Sequence, residues 1–424
     1  MTGDNDARRS GIESRYAWQR LAVSLALMTI GGSGMYSVTV VLPRIQQEFG
    51  IARADASLPY TLTMIGFGVG GVLMGRLADR FGVMVPVFVG ALGLGLGFIA
   101  AGLAANVWWF GAAQGVLVGL LGTSASFAPL VADTSKWFDR RRGIALAICM
   151  SGNYTAGAVW PPVMQFFIDT QGWRATYVGM GVFCAASMIP LAFMLRRRPP
   201  AQPDPVAVAG GAAAIGAARG GAVSADRPMG MRPGVVQALL CVAGVACCVA
   251  MSMPQVHIVA YCGDLGFGPA RGAEMLALML GLGVVSRLVS GAVSDRIGGL
   301  RTLLLGSVLQ GVALLAFLPS TGLVSLYVVS ALFGLFQGGI VPAYALIVRQ
   351  HFSPAEAGAR VGTVLMATLF GMALGGWMSG AVFDWTGSYR AAFINGIAWN
   401  LLNLCIVGFL LWRATISMRE GARA

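Results

Sequence analysis

The chain has 424 residues, 57% hydrophobic and only 11% charged, with a mean hydropathy of +0.74 and a formal net charge of +12. A soluble domain carries about 25% charged residues, so this composition excludes an ordinary water-soluble enzyme or binding module and reads as a polytopic membrane protein. A bilayer core takes about 20 apolar residues per helix. In chain order, runs of that kind fall at 19–42, 57–78, 83–104, 108–133, 143–168, 174–195, 234–260, 271–293, 300–318, 323–348, 358–382 and 390–412. Backbone facing lipid must satisfy its own hydrogen bonds, so all twelve are expected to be helices. The 60 glycines suit close helix packing in a bilayer.

The basic residues orient these spans. With both termini cytoplasmic, the tails and alternate connections hold 23 of the 29 Lys and Arg, as the positive-inside rule requires. The other connections hold only Arg44, Arg53, Arg174, Arg271 and Arg390, and Arg287 lies inside a span. The positive balance therefore reads as insertion topology in a cell membrane, such as an inner membrane, and no nucleic-acid partner is expected. No cleavable signal peptide is expected either, because the first apolar run is full length and follows a polar tail carrying Arg8, Arg9, Arg15 and Arg20. The seven cysteines are odd in number and lack metal-ligand spacing.

The chain is duplicated. GRLADRFG, with Gly75, Asp79 and Arg80, returns as GAVSDRIG, with Asp295 and Arg296; the two aspartates are 216 residues apart. The same offset of 216 separates Arg174 in WRATY from Arg390 in YRAAF, and equal offsets at remote landmarks mark an internal repeat. Three segments follow: a first six-helix bundle at 1–195, a cytoplasmic linker at 196–233 that opens RRRPPAQPDP, and a second six-helix bundle at 234–424.

Six plus six helices, GRLADRFG after the second span, its copy after the eighth and a long central loop resemble the major facilitator superfamily. HIVAYCGDLGF, SRLVSG and WFDRRRGIA are further similar to its monocarboxylate and oxalate/formate branch. The resemblance implies an all-α fold of two pseudo-symmetric bundles that rock about a central site, giving alternating access, with substrate near the membrane midplane. A monomer is expected as the functional unit.

Arg287 carries the reading of function. It lies eight residues before Asp295, about 12 Å into the membrane at 1.5 Å per residue, where an arginine costs about 2.5 to 3.5 kcal/mol. No acidic residue stands nearby in sequence. Gly283, one turn earlier, is where the resemblance implies an aspartate in animal monocarboxylate carriers, and the repeat places Gly71 opposite Arg287. An arginine that breaks the repeat points to a bound anion, held bidentately if it is a carboxylate; pairing with a backbone carbonyl is the structural alternative. The eleventh span has no charge between Arg360 and Asp384, whereas the resemblance implies a lysine there in oxalate carriers, so one cation predicts a monoanion such as lactate or pyruvate, or a small aromatic acid.

Tyr36, Ser124, Ser126, Asn153, Gln337 and Tyr344 are polar residues at candidate cavity depth, each equally able to bond across helices. His257 is the intramembrane group whose unperturbed pKa lies near physiological pH, which makes it the candidate for proton coupling; a satisfied interior histidine is the alternative. Gly75, Asp79, Arg80, Asp295 and Arg296 are read as a cytoplasmic gate. Asp79 and Asp295 sit at helix C-termini, where a carboxylate is disfavoured by the helix dipole, so each needs a cation, for which the Arg140–Arg142 run is available. A multidrug exporter of the same fold and a facilitated anion exchanger are the rival functions. No catalytic residues, metal site or cofactor are expected, because no nucleophile stands with a base and no phosphate-binding loop follows a strand.

Overall fold

The computed structural model describes residues 12–197 and 228–421. Among them there is no strand. The spanning rods are α1 (Arg15–Phe49), α2 (Arg53–Phe81), α3 (Met84–Gly102), α4 (Val107–Trp137), α5 (Arg142–Gln171), α6 (Trp173–Met194), α7 (Pro233–Asp264), α8 (Pro269–Ile297), α9 (Gly299–Phe317), α10 (Leu323–His351), α11 (Pro354–Thr386) and α12 (Tyr389–Gly421). All except α5 are clearly long and apolar enough to cross a membrane. The 30 residues of α5 are diluted by Ser151, Asn153, Tyr154, Thr155, Gln165 and Asp169, and part of that polar face lines the central cavity described below. Of the linker expected at 196–233, residues 198–227 lie outside the described residues.

The repeat governs the architecture. α2 and α8 begin at 53 and 269 and end at 81 and 297, the offset that also separates the two Asp-Arg motifs. The last glycine of each motif makes the turn into the next helix: Gly82 has φ 86° and Gly298 φ 83°, a conformation glycine reaches without strain from a side chain. Inside each half, α2 packs on α4 as α8 packs on α10, and α3 on α6 as α9 on α12. These are close approaches. A Cβ on Gly66 would fall 2.1 Å from Gly115 O, and one on Gly334 would fall 2.1 Å from Met279 O, so only glycine permits either pairing. The two bundles meet through α2 against α11 and α5 against α8.

Helix breaks are placed symmetrically too. α4 passes through a π-helical stretch, Ala113–Thr123, and restarts at Ala128, whereas α10 stops at Gln337 and restarts at Ile340 after two glycines. Pro129 and Pro342 fall in the first turn of the restarted segments, where the ring displaces no intrahelical bond. Pro161, Pro162 and Pro254 lie within continuous helices.

An even number of spans puts both chain ends on one face. Near it Tyr16 donates to Met194 O and Arg413 to Gly230 O. This is called the terminal face below, and the opposite side the far face.

Candidate functional site

A cavity of about 360 Å³ lies between the bundles and is lined from both halves, and among the described residues Arg287 is the sole charged one on its wall. Such a volume is at the lower end of the range for sites that take drug-sized ligands. Gly71, the repeat counterpart of Arg287, also lines the cavity, and nothing lies within 4 Å of where its Cβ would be. The duplicated scaffold thus presents one cation on one wall and open space at the matching position of the other.

Arg287 has no carboxylate partner among the described residues. Its Nη1 donates to Met150 O at 3.1 Å and its Nε to Gly338 O at 3.4 Å, and its guanidinium carbon stands 4.4 Å from the centre of the Tyr154 ring. A hydrogen bond from a charged donor contributes about 1.5 to 3 kcal/mol and a desolvated cation–π contact about 2 kcal/mol, which together offset the insertion cost of about 2.5 to 3.5 kcal/mol. The arginine is therefore tolerated without an anion. Two carbonyls do not exhaust a guanidinium's five N–H donors. A cation with spare donors on a cavity wall can take a carboxylate.

Tyr154 also explains Gly283. A Cβ there would lie 2.5 Å from Tyr154 Cδ1 and Cε1, so the ring fills the space that a side chain at 283 would need. An aromatic face stands beside the arginine, in the place where the resemblance implied a carboxylate. Tyr154 is not among the residues the sequence placed at cavity depth; the available signal was its place four residues after Met150, on one face of α5.

Of the candidate binding residues, the structure brings Arg287, Tyr36 and Asn153 together on the cavity wall. Tyr36 donates to Asn153 Oδ1 at 3.0 Å, which leaves the Asn153 amide NH₂ without a protein partner among the described residues. Ser124, Ser126, Gln337 and Tyr344 do not line it. Ser124 and Ser126 donate back to Leu120 O and Thr123 O, satisfying the carbonyls freed where α4 breaks. Tyr344 is fully buried and donates to Asn403 Oδ1 at 2.9 Å. Gln337 accepts from Gln255 Nε2 at 2.8 Å, so Gln255 and not Gln337 reaches the cavity.

His257 sits elsewhere as well. Its Nε2 pairs with Gly376 O at 2.8 Å and its Nδ1 lies 3.4 Å from the Tyr389 hydroxyl, within the cluster that closes the far face. At the centre of this cluster Arg53 donates to Asp264 at 2.7 Å and 3.3 Å, to the Tyr389 hydroxyl at 2.7 Å and to Gln46 at 2.8 Å. Asp384 accepts from the backbone N–H of Arg53 and Ala54 at 2.9 and 2.7 Å, so a carboxylate of the second half caps a helix N-terminus of the first, the favourable end of the dipole. Thr61 adds a bond to Ala373 O. The sequence reading counted Arg53 only as one of few cations on its side of the membrane; that scarcity was the signal for its role.

At the terminal face the picture reverses. Asp79, Arg80, Asp295 and Arg296 are exposed, form no ion pair among the described residues, and Arg80 rests over its neighbour Phe81. Nothing lies within 4 Å of a Cβ on Gly75 or Gly291. Among the described residues, every interbundle hydrogen bond lies at the level of Arg287 or on its far-face side. The cavity is sealed toward the far face and unlatched toward the terminal one.

Comparison with known proteins agrees with this architecture. The model of the Major Facilitator Superfamily matches residues 22–207 and 258–420. Monocarboxylate transporter 13 of Bos taurus is 27% identical over 80% of this chain and 75% of its own length. Monocarboxylate transporter 11 of Homo sapiens is 24% identical over 89% and 79%. Among solved structures, a bacterial homologue of the lysosomal transporter Spinster aligns with a TM-score of 0.67 at 15% identity over 96% of this chain and 97% of its own. The peptide transporter POT, in complex with alafosfalin, aligns at 0.71 and 14% identity over 93% and 95%. A membrane transporter, not an enzyme, is what these relatives describe, and with a family match over most of its length and two repeat-related bundles around a central cavity, this chain belongs to the major facilitator superfamily.

Proposed function

We propose that the chain is a secondary transporter of a small organic monocarboxylate that works by alternating access about the cavity of Arg287. The observation that carries this reading is an arginine at the centre of the bundle interface with spare donors, no carboxylate partner among the described residues and no second cation on the cavity wall. One cation neutralises one negative charge. A carrier of cationic drugs would need an acidic residue on that wall, and among the described residues Arg287 is the sole charge there. The names of the monocarboxylate transporter relatives point to the same substrate class. The terminal face is cytoplasmic in this reading, and the described state is inward-open: the Arg53 cluster closes the outside, and the Asp79–Arg80 and Asp295–Arg296 pairs latch the inside in the opposite state.

The proton coupling assigned to His257 then acts on the outer closure and not on the substrate. Neutral His257 that donates from Nε2 to Gly376 O can accept the Tyr389 hydroxyl at Nδ1, and that hydroxyl in turn accepts from Arg53. An imidazolium has no acceptor, so protonation removes the end of this relay and loosens the outer seal. His257→Gln keeps an acceptor that does not titrate. It is expected to flatten the pH dependence of uptake; a pH profile identical to that of the unaltered chain would remove His257 from coupling.

The central test is uptake of radiolabelled monocarboxylates into proteoliposomes. The unaltered chain is expected to accumulate a monoanion and Arg287→Gln to lose that uptake. Equal uptake by the variant would overturn the role of Arg287.

A further inference from the structure

The wall around Arg287 is more apolar than a three-carbon hydroxy acid can use. Met35 and Met150 from the first half and Met251, Met366 and Met372 from the second line the cavity. Phe67 and Phe127 line it as well and meet edge to face at 5.8 Å. The polar donors on the wall are largely committed to the protein itself: Tyr36 to Asn153, Gln255 Nε2 to Gln337, and Thr368 to Leu365 O. Among the described residues, open donors remain on the guanidinium of Arg287, the amide NH₂ of Asn153 and the hydroxyl of Tyr154. They lie close, since Met150, whose carbonyl Arg287 bonds, is one helical turn from Asn153 on α5.

These observations sort substrates by chemistry. A carboxylate has acceptors for all of these open donors. A short hydroxylated acid would seat its carboxylate and leave the methionine and phenylalanine surface in contact with water, with no hydrophobic gain. An acid with a ring or branched chain would remove that surface from water, and methionine sulfur packs favourably on aromatic rings and adapts to irregular shapes. Unbranched thioether side chains also suit a site that takes a range of apolar bodies.

We infer that the cavity selects monocarboxylates with an aromatic or branched aliphatic body over lactate-like acids, the carboxylate held by Arg287 and Asn153 and the body by the methionine- and phenylalanine-lined wall. This rests on the monocarboxylate reading above and narrows it.

The test is thermal stabilisation of the purified full-length chain in detergent by graded concentrations of 3-phenylpropionate, 4-methylpentanoate, lactate, acetate and the neutral 3-phenylpropionamide, since a ligand that binds the folded state raises its melting temperature by mass action. The apparent affinity for the phenyl and branched acids is expected to exceed that for acetate or lactate by roughly 10- to 100-fold, the range that burial of one apolar side chain corresponds to, and the amide is expected to stabilise at least tenfold less well than its acid. Met372→Gln, which keeps the length of the side chain and makes it polar, should weaken 3-phenylpropionate several-fold and leave acetate and lactate unchanged. A purely structural role for Met372 would shift all three together and overturn its place in the site. Lactate binding as well as 3-phenylpropionate would overturn the inference and leave the monocarboxylate reading standing. Equal stabilisation by acid and amide, or by none of the ligands, would overturn both.

Discussion

Arg20 and Arg287 both lie within membrane-spanning helices and are held in opposite ways. Arg20 of α1 is almost wholly buried and binds Asp133 of α4 through both nitrogens, Nε to Oδ2 at 2.7 Å and Nη2 to Oδ1 at 3.0 Å, with its guanidinium 4.8 Å from the Trp137 ring centre. Arg287 has the ring contact but carbonyls in place of the carboxylate, and it faces a cavity. The first is a bidentate pair with its charge cancelled inside one bundle, so it has nothing left to offer a ligand. The second keeps its charge and part of its donor set at the interface of two bundles. The difference separates an arginine that holds the fold from one available for function, and composition alone assigns both to the same class.

Mutation can break this contrast. The largest effect is expected for Arg287→Gln: transport falls by two orders of magnitude or more, the scale associated with losing a charged contact of about 3 kcal/mol, while the melting temperature in detergent stays close to that of the unaltered chain. A large drop in melting temperature would place Arg287 with Arg20 as a structural residue. Asp133→Asn should do the reverse. It leaves Arg20 buried without its counter-charge, a loss of about 3 to 5 kcal/mol, so thermal stability falls while uptake per folded molecule is retained; unchanged stability would show the pair to be replaceable. The smallest effect sharpens the comparison between halves. Gly71→Arg places a second cation where the repeat offers open space, and the preference for a monocarboxylate over a dicarboxylate should shift toward the dicarboxylate by about tenfold, one charge-assisted contact. Competition uptake with benzoate and phthalate reads this shift; an unaltered ratio would mean that the Gly71 wall does not meet the substrate.

Arg53 shows why the site was only partly legible. Its sequence neighbours mark it as a loop charge, yet it joins Asp264 and Tyr389, more than 200 residues away in the chain, and sits over the Phe383 ring at 4.5 Å. Ser124 and Tyr344 show the converse. Both occupy plausible depths in their spans, but a π-helical stretch re-aims one and Asn403 captures the other. A span's periodicity states depth and does not state which way a side chain turns once neighbouring helices have packed.

The sequence by itself determined the twelve helices, the duplication at 216 residues and the oddity of Arg287, because hydrophobic length, internal offset and the cost of an intramembrane charge are all properties of residues in order. Tertiary structure alone decided that Tyr154 fills the space beside Gly283, that Asn153 and Tyr36 join Arg287 while four other candidates turn away, and that Arg53 closes one face while the duplicated Asp-Arg motifs stand apart on the other. Those outcomes depend on which helix faces meet across two bundles, and the meeting of remote surfaces is fixed by packing and charge pairing that no local stretch of the chain contains.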